Sequence, residues 1–523
     1  MLNSDSKHPK IPQRFGWPGF VLTPLALLLI GMFVVFLPSV PAPMPALTAA
    51  PVPVQLSASD ELTTFLPNVQ KSYEPAITPQ VTGPLSNTTY LPSVNRYRAP
   101  RQSVFGVQVL NGSGVSLAKT AAEAGATWIR YGEIYWNEIE AVRGQRDWSS
   151  LASFDLNLAA LQAQGLNTQV IVLGAPAWAQ RRVPWQCSAI REDALNDFAT
   201  FMQALVKRYS GAPYYIKYWE LGNEPDVDPS FVGSNSGFGC WGDLGDPYYG
   251  GGYYATMLRT VYPAIKAIDP QAKVMIGGLL MDCDPTHPPA DSTDGCRSGK
   301  FFEGILRGGG ADYFDIVAYH AYNHWNDNGL DADLTHPKWA ARGGALLGKT
   351  SLLREVMARY GVNKPLLMNE GGVLCHPSNT ICPNDAFRQD QAMGMVKLMA
   401  RSWANGIEGA IWYTLNGPGW REGGLLEADD TPLPAYRSLK FLGNLLKSAH
   451  FTNSTTTAQT EMYEFEDNAH IYRLYWTNND GLTIQIPVTM NIQTIYNVYG
   501  QSITSGASTI PVSSDPVIVV LGK

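Results

Sequence analysis

The 523-residue sequence is poor in charged residues and has no surplus of positive charge. Lysine and arginine together number 38 against 45 aspartates and glutamates, and charged residues make up only 16% of the chain. Nucleic-acid binding needs a basic surface, so the composition argues against a nucleic-acid partner. Hydrophobic residues reach 45%, which is enough to build a large core.

The sequence also lacks the motifs of nucleotide-dependent and metal-dependent enzymes. Gly112 and Gly114 follow an apolar run, but Leu117 stands where a dinucleotide-binding fingerprint has its third glycine. No C-x-x-C pair or paired-histidine spacing indicates a metal site, and His320 and His324 have no carboxylate at ligand spacing. We therefore expect neither a cofactor nor a metal.

Cysteine is scarce, yet the six cysteines fit an exported protein with disulfides better than a zinc site. All six fall in loops that follow predicted strands. Six cysteines allow 15 pairings, so the sequence leaves the connectivity open. The spacing favours two pairs within single loops and one pair between neighbouring loops: Cys283–Cys296, Cys375–Cys382 and Cys187–Cys240.

Among the features that are present, the first is a long apolar run near the N-terminus. Residues 1–19 carry three basic residues and precede an uncharged apolar run over residues 20–37. This pattern predicts a cytoplasmic basic N-terminus followed by a transmembrane anchor or a signal segment. Residues 38–101 are rich in proline, serine and threonine and predict a disordered linker. We expect the rest of the chain to be extracytoplasmic, either membrane-anchored or secreted.

From residue 102 to 448, short apolar runs alternate with longer helical patterns. This alternation predicts βα units around a parallel sheet. Eight units favour a closed (β/α)8 TIM barrel of the α/β class, whereas a doubly wound open sheet needs fewer units. The predicted strands are Val104–Leu110, Thr127–Tyr131, Thr168–Leu173, Tyr215–Leu221, Lys273–Gly277, Asp315–Tyr319, Pro365–Met368 and Gly409–Thr414.

The pattern changes after residue 448 to short alternating runs separated by turn signals. Asn479-Asp480-Gly481 is a strong turn signal between two of these runs. Residues 449–523 therefore predict a small C-terminal β-sandwich domain. The predicted strands are Met462–Phe465, His470–Trp476, Leu482–Pro487, Thr494–Tyr499 and Val517–Leu521.

The stretch Y-Y-I-K-Y-W-E-L-G-N-E-P-D, residues 214–226, holds the clearest functional signal. Its first half has strand composition, and Gly222 and Pro225 end the strand and place Glu224 in the following loop. A carboxylate at the carboxyl end of a barrel strand is where (β/α)8 enzymes keep their chemistry. Glu220 lies on the same strand without the N-x-P flanks, and we assign it to the barrel interior.

The W-E-L-G-N-E-P segment resembles the acid/base strand of retaining glycosidases of clan A, and cellulase-like family 5 and xylosidase-like family 39 are the most similar families. The resemblance covers roughly residues 103–446. It implies that Glu224 is the acid/base at the end of the fourth strand. It also implies that Glu370, in L-L-M-N-E-G-G on the seventh strand, is the nucleophile.

The resemblance assigns supporting roles to residues on other strands. Arg130, in W-I-R-Y, would favour the charged form of the nucleophile, and Asn223 would bind the sugar 2-hydroxyl. His320 and Tyr322, in Y-H-A-Y, occupy the His-x-Tyr positions of family 5 and face the same side of an extended chain. Trp412 would form the aromatic floor beneath the cleaved sugar. Each of these roles has a structural alternative: Arg130 could form a structural ion pair, His320 could be a hydrogen-bonded core histidine, and Trp412 could be ordinary barrel packing.

Asn369 and Gly371 depart from the family 5 pattern beside the nucleophile, so the family within the clan stays open. The resemblance implies a hydrolase that cleaves β-linked oligo- or polysaccharides by double displacement. The alternative is a catalytically silent barrel that binds carbohydrate at the cell surface. The sugar, the linkage, and exo or endo action depend on loop shape rather than on strand-end residues.

Overall fold

The computed structural model describes residues 103–523 except 111–114, 293, 326, 329, 480, 488–490 and 504–508. The predicted basic N-terminus (1–19), apolar segment (20–37) and linker (38–101) lie outside the described residues. Within the part of the chain that is described, no helix combines the length and apolar character needed to cross a bilayer.

Eight parallel strands close into a barrel in sequence order, and β1 pairs with β8. The predicted (β/α)8 barrel is therefore confirmed. Its strands are β1 Phe105–Val109, β2 Trp128–Tyr135, β3 Asn167–Leu173, β4 Tyr218–Leu221, β5 Lys273–Leu279, β6 Ile316–Trp325, β7 Leu366–Cys375 and β8 Ala410–Trp412.

Each barrel strand is followed by at least one helix, as expected for parallel strands that must cross over the sheet. The helices are α1 Ser116–Glu123, α2 Trp136–Ile139, α3 Ala152–Ala163, α4 Leu195–Tyr209, α5 Gly251–Ile268, α6 Phe301–Arg307, α7 Ala345–Arg359, α8 Asp385–Ala404 and α9 Pro434–Leu445.

The strand residues alternate between two cores, because successive side chains of a strand point to opposite faces. The inner core fills the barrel and contains Trp128, Met275 and Ile411. The outer core lies between the strands and the helices and contains Tyr131 and Trp412. This alternation decides which residues near the strand ends face the mouth of the barrel.

The fourth strand is shorter than predicted and begins at Tyr218. Tyr215 has a φ of 49°, a left-handed conformation that a strand does not accommodate. The composition of residues 215–217 had favoured a strand, but these residues have no regular secondary structure, and Tyr214 before them lies in a turn.

The predicted C-terminal β-sandwich domain is confirmed as an antiparallel five-stranded sheet, in the order β13-β15-β11-β10-β9, with a separate β12–β14 ribbon. The sequence analysis missed β9, whose residues are mostly exposed and carry no apolar alternation, and β14. The strands are β9 His450–Thr456, β10 Thr460–Glu466, β11 His470–Thr477, β12 Ile484–Pro487, β13 Ile492–Tyr496, β14 Thr509–Val512 and β15 Val517–Gly522.

Candidate active site

Arg130 on β2 is the central side chain of a polar cluster inside the mouth of the barrel. It is fully buried, and its Nε and Nη2 each donate to Glu220 at 2.8 Å. Further hydrogen bonds of 2.8 Å reach Gln108 and Asn223, and Nη1 also donates to Glu370. Burial opposes the charge of the guanidinium, but Glu220 and Glu370 outweigh it, and the pKa of Arg130 is raised. Arg130 therefore stays charged and connects β2 to β1, β4 and β7.

Glu370 on β7 is held by donors on both of its oxygens. Arg130 donates to Oε1, and the Tyr322 hydroxyl donates to Oε2 at 2.5 Å. Glu370 as a whole is 7% exposed. These donors fix the orientation of the carboxylate and leave it at the floor of the cleft.

Glu224 lies in the loop that follows β4 and has a φ of 46°. This left-handed conformation costs a non-glycine residue on the order of 1–3 kcal/mol and is found most often at functional sites. Its backbone N–H donates to the Gly278 carbonyl at 3.0 Å, which ties the strained residue to the end of β5. Burial raises the pKa of Glu224 to about 7, although Lys349 and Arg130 oppose the shift.

His320 on β6 links the two glutamates. Its Nδ1 lies 2.8 Å from Glu224 Oε1 and 3.4 Å from Glu370 Oε2. Burial lowers the pKa of His320 to about 4, so the imidazole is neutral near pH 7. A Cβ atom at Gly278 would lie 2.1 Å from His320 Nε2 and 2.6 Å from Asn369 Oδ1, so only glycine leaves room for both side chains.

The carboxylates of Glu224 and Glu370 are neighbours, since one oxygen of each and a nitrogen of His320 lie within 4.8 Å of one another. Carboxyl groups about 5–5.5 Å apart are typical of retaining glycosidases, whereas inverting enzymes keep them about 6.5–9.5 Å apart. The arrangement can therefore supply a proton donor and a nucleophile to the same bond.

The same three side chains are also a conceivable set of metal ligands. Glu370 is already bound to the Arg130 guanidinium, and the charge of Lys349 acts on Glu224. Two cations beside the carboxylates disfavour a further cation. The surroundings therefore suit acid/base and nucleophilic chemistry better than metal binding.

Trp412 is placed differently from the expectation. It lies in the outer core with no exposed surface, and its indole nitrogen donates to the Gly423 carbonyl at 2.7 Å. The next residue, Tyr413, faces the cleft instead, because successive side chains alternate. Its ring lies 6.2 Å from that of Tyr322, and Trp420, 49% exposed, contacts the same ring at 5.5 Å. Tyr413, the residue directly after β8, is therefore the aromatic at the site, and Trp412 is not.

The structure thus brings six of the predicted site residues together and separates one. The six are Arg130, Asn223, Glu224, His320, Tyr322 and Glu370. The remaining one, Trp412, packs behind the strand. Glu220 lies in the barrel interior as predicted, fully buried and bound to Arg130.

Sequence reasoning missed two buried charged residues behind the acid/base. Asp226 accepts hydrogen bonds from the N–H groups of Leu280 and Met281 at 2.8 and 2.7 Å, and burial raises its pKa to about 7. Lys349 on α7 donates to the carbonyls of Leu280 and His320 at 2.6 and 2.9 Å, and burial lowers its pKa to about 8. Asp226 ends the N-E-P-D motif and could have been flagged, whereas Lys349 stands in a helix with no motif.

Three disulfides brace loops at the carboxyl end of the barrel, where the site lies. They confirm the pairing that the spacing favoured: Cys187–Cys240, Cys283–Cys296 and Cys375–Cys382. The first of them joins the loop after β3 to the loop after β4, which contains Glu224.

Comparison with known proteins gives matches in structure but not in sequence. No family model matches the chain, and no curated protein matches it in sequence. A family 39 glycoside hydrolase from Bacteroides cellulosilyticus superposes with a TM-score of 0.60 at 18% identity, covering 81% of each chain.

Two further structures from other families share the fold. A family 30 endoxylanase from Clostridium papyrosolvens has a TM-score of 0.54 at 13% identity, over 82% of this chain and 97% of its own. A family 51 α-L-arabinofuranosidase from Thermotoga petrophila has a TM-score of 0.53 at 13% identity, over 81% of this chain and 98% of its own. Families 39, 30 and 51 belong to clan A of the glycoside hydrolases, so the chain has the fold of that clan.

Proposed function

We propose that this protein is a retaining glycoside hydrolase that cleaves β-linked glycans by double displacement. The observation that carries the proposal is the pair of glutamates, Glu224 and Glu370, whose oxygens lie within 4.8 Å in unlike surroundings. Glu370 is held by Arg130 and Tyr322, whereas the pKa of Glu224 is raised to about 7 by burial. Unlike surroundings separate the roles of two nearby carboxyl groups.

In the first step, a Glu370 oxygen attacks the anomeric carbon of the bound sugar. The bond from that carbon to the glycosidic oxygen breaks, and Glu224 transfers its proton to the departing oxygen. The product of this step is a glycosyl ester on Glu370 and a free alcohol. The neutral His320, 2.8 Å from Glu224, keeps the acid in position without adding a charge.

In the second step, the ionised Glu224 accepts a proton from a water molecule as the water oxygen attacks the anomeric carbon. The ester bond breaks, and the Glu370 carboxylate and the protonated Glu224 are restored. Two inversions give net retention. Asn223 accepts from Arg130 through its amide oxygen, which fixes the orientation of its amide group, and we propose that this group binds the sugar 2-hydroxyl.

The test is hydrolysis of 4-nitrophenyl glycosides by the full chain, with β-xyloside, β-glucoside, β-mannoside and α-L-arabinofuranoside in the panel. Proton NMR of the first product should show the same anomeric configuration as the substrate. Formation of the opposite anomer would reject double displacement. Sugar binding without turnover across the panel would favour a silent carbohydrate-binding barrel.

We also propose that the protein acts outside the cytoplasm, either anchored by its N-terminal segment or secreted. Three disulfides support this location, because disulfides persist in oxidising compartments. Fractionation of cells into cytoplasm, membrane and medium tests it. Recovery of the protein with the cytoplasm would contradict the proposal.

A further inference from the structure

A carboxylate at the end of β2, Glu133, belongs to none of the roles described above. It lies in an unusual segment, because the pairing of β2 with β3 shifts between Tyr131 and Glu133. Gly132, the inserted residue, has a φ of 52°, which glycine adopts without strain. Bulges of this kind are common next to active sites, where they redirect a side chain.

The bulge decides which way Glu133 faces. Before it, Tyr131 packs in the outer core, and after it Ile134 does. Strict alternation from Tyr131 would have sent residue 133 outward as well. Instead Glu133 pairs with Ile171 on β3, which also pairs with the interior Glu220 on β4. Glu133 therefore takes an inward position at the mouth of the barrel.

Tyr135, two residues further along β2, holds the carboxylate in place. Its hydroxyl donates to Glu133 Oε2. A Cβ atom added at Gly237, in the loop that follows Glu224, would lie 2.9 Å from the Tyr135 hydroxyl oxygen. A Cβ atom at Gly174, just after β3, would lie 2.8 Å from the Tyr135 ring. The absence of side chains at these two glycines thus lets the backbone pack closely around Tyr135. This packing fixes the Glu133–Tyr135 pair in the wall of the cleft.

The charge of Glu133 also acts on the reaction centre. The pKa of Tyr413 is raised to about 12 by burial and by Glu370, and Glu133 adds to the shift. Glu133 contributes likewise to the raised pKa of Arg130, after Glu220 and Glu370. Glu133 is near the reacting groups but takes no part in the two steps of hydrolysis. Substrate binding is the role that its position allows.

We propose that Glu133, positioned by Tyr135, binds hydroxyl groups of the sugar at the cleavage point and selects neutral sugars over uronic acids. The inference rests on the proposed glycosidase function. A carboxylate has two acceptor oxygens with about four lone-pair sites between them, so Glu133 can accept from the substrate in addition to its partners within the protein, Tyr135 among them. The carboxylate of a uronic acid would instead meet Glu133, Glu224 and Glu370 in one small space.

The experiment compares wild type with Glu133→Gln and with a matched control, Glu138→Gln. Glu138 lies five residues further on in α2 and is exposed, so its substitution makes the same charge change away from the cleft. The substrates are the neutral 4-nitrophenyl glycoside that wild type cleaves fastest, its monodeoxy analogues, and the uronide of the same configuration.

For Glu133→Gln we expect kcat/KM on the neutral glycoside to fall roughly 10–100-fold, the scale of a lost hydrogen bond to a charged group. For wild type, removing the hydroxyl that Glu133 binds should lower kcat/KM by a similar factor, so one monodeoxy analogue should be a correspondingly poorer substrate than the parent glycoside. Glu133→Gln should cleave that analogue and the parent glycoside at similar rates. The ratio of uronide to neutral-glycoside hydrolysis should rise at least about tenfold, and Glu138→Gln should behave as wild type.

The inference would be overturned if every deoxy analogue lost as much kcat/KM with Glu133→Gln as with wild type, or if Glu138→Gln lowered kcat/KM as much as Glu133→Gln does. Either result would leave the hydrolase proposal intact. A wild type that cleaves no glycoside would remove both. Circular dichroism melting checks that each variant is folded. If Glu133→Gln does not fold, Tyr135→Phe tests the positioning instead, because it removes one donor to the carboxylate and keeps the charge. The deoxy penalty should then shrink while the uronide ratio stays near that of wild type, and an unchanged deoxy penalty would overturn the inference.

Discussion

The chain buries two arginines among carboxylates, and only one of the two clusters is a candidate active site. Arg130 in the barrel mouth binds Glu220 and Glu370. Arg401 on α8 binds Asp331, Asp333 and Glu461, and its side chain is 2% exposed. Both clusters contain an acid with a raised pKa, about 7 for Glu224 and about 6 for Asp333, each raised mainly by burial.

The two clusters differ in what they join. The acids around Arg401 come from the loop after β6 and from β10, so this cluster fastens the C-terminal domain to the barrel. The acids around Arg130 come from strand ends that face one cleft, and Glu224 and Glu370 share His320. A buried arginine or a raised pKa therefore does not identify a site by itself, since structural ion networks produce both. A candidate active site is indicated instead by two acids that converge on one accessible point.

The largest expected effect comes from Glu370→Gln, which removes the proposed nucleophile. We expect kcat to fall by at least about 10⁴-fold, the scale measured when a nucleophile is deleted. The variant should still fold, because the amide has the same shape and Glu220 continues to neutralise Arg130, although losing the Glu370 charge should lower the melting temperature. Stopped assays with 4-nitrophenyl glycosides measure the loss. Activity within tenfold of wild type would show that Glu370 is not the nucleophile.

Glu224→Gln should lower activity by up to about 10⁴-fold on substrates whose leaving group needs a proton, the range for general acid catalysis. Activated aryl glycosides should be cleaved much better than poor ones by this variant. The wild-type rate should fall as pH rises through about 7, where Glu224 loses its proton. For activated substrates, that alkaline limb should disappear in the variant.

If the alkaline limb of the pH–rate profile survives unchanged in Glu224→Gln, the general acid must be another residue. The pair titrates as a unit, so the measured constants belong to both carboxyl groups. Glu220 is the other glutamate on this strand, but it is fully buried and bound twice by Arg130. Its geometry leaves it no path to the glycosidic oxygen.

Arg401→Met should break the second cluster and destabilise the protein without disabling the site. Removing one partner of a buried ion network costs about 3–5 kcal/mol, because the remaining charges stay buried. Chemical denaturation measures the free energy of unfolding, and activity per folded molecule should be kept. As a control, Arg359→Met on α7 removes an arginine that is 47% exposed and should cost under about 1 kcal/mol. Equal losses in both variants would contradict the structural role of Arg401.

The smallest effect concerns stability against pH. The pKa of Glu224 lies above its ordinary value of 4.5, so the folded chain holds this proton more tightly than the unfolded chain. Its stabilising contribution is complete below about pH 4.5 and is lost as pH rises through about 7. At about 1.4 kcal/mol per pKa unit, the loss is on the order of 3 kcal/mol at most.

Glu224→Gln should therefore be more stable than wild type above pH 7 and about equally stable at pH 4. Denaturant titrations at several pH values would measure the difference. Part of the pH dependence should remain in the variant, because Asp226, with its pKa also raised to about 7, titrates in the same range. A variant less stable than wild type at pH 8 would contradict the argument.

Much of the site could be predicted because strand count and motif point to the same residues. Glu224 follows a sharp change from strand to turn composition, and Glu370 follows the seventh apolar run. The cleft position expected for Trp412 was wrong because the sequence identified the strand but not which of its side chains face the barrel interior. The interior position of Ile411 shows that Tyr413 shares its face. The bulge at Gly132 reverses the phase of β2 in the same way, and only the β2–β3 pairing reveals it.

Lys349 could not be predicted, for a different reason. It acts on the site from a helix 125 positions after Glu224 in the sequence, through carbonyl groups that every residue carries. Nothing in its local sequence distinguishes it from a surface lysine on an amphipathic helix. Its role depends on tertiary packing alone.

The two glycines at the end of β5 impose an evolutionary constraint that can be read in sequences. A Cβ atom at Gly277 would lie 2.7 Å from the Leu221 carbonyl oxygen, and one at Gly278 would collide with His320. A lineage that keeps the histidine should therefore keep the glycine pair as well, even where the surrounding residues have diverged. Gly-Gly at the end of the fifth strand, together with N-E-P after the fourth and H-x-Y on the sixth, makes a pattern for tracing distant descendants of the same ancestor.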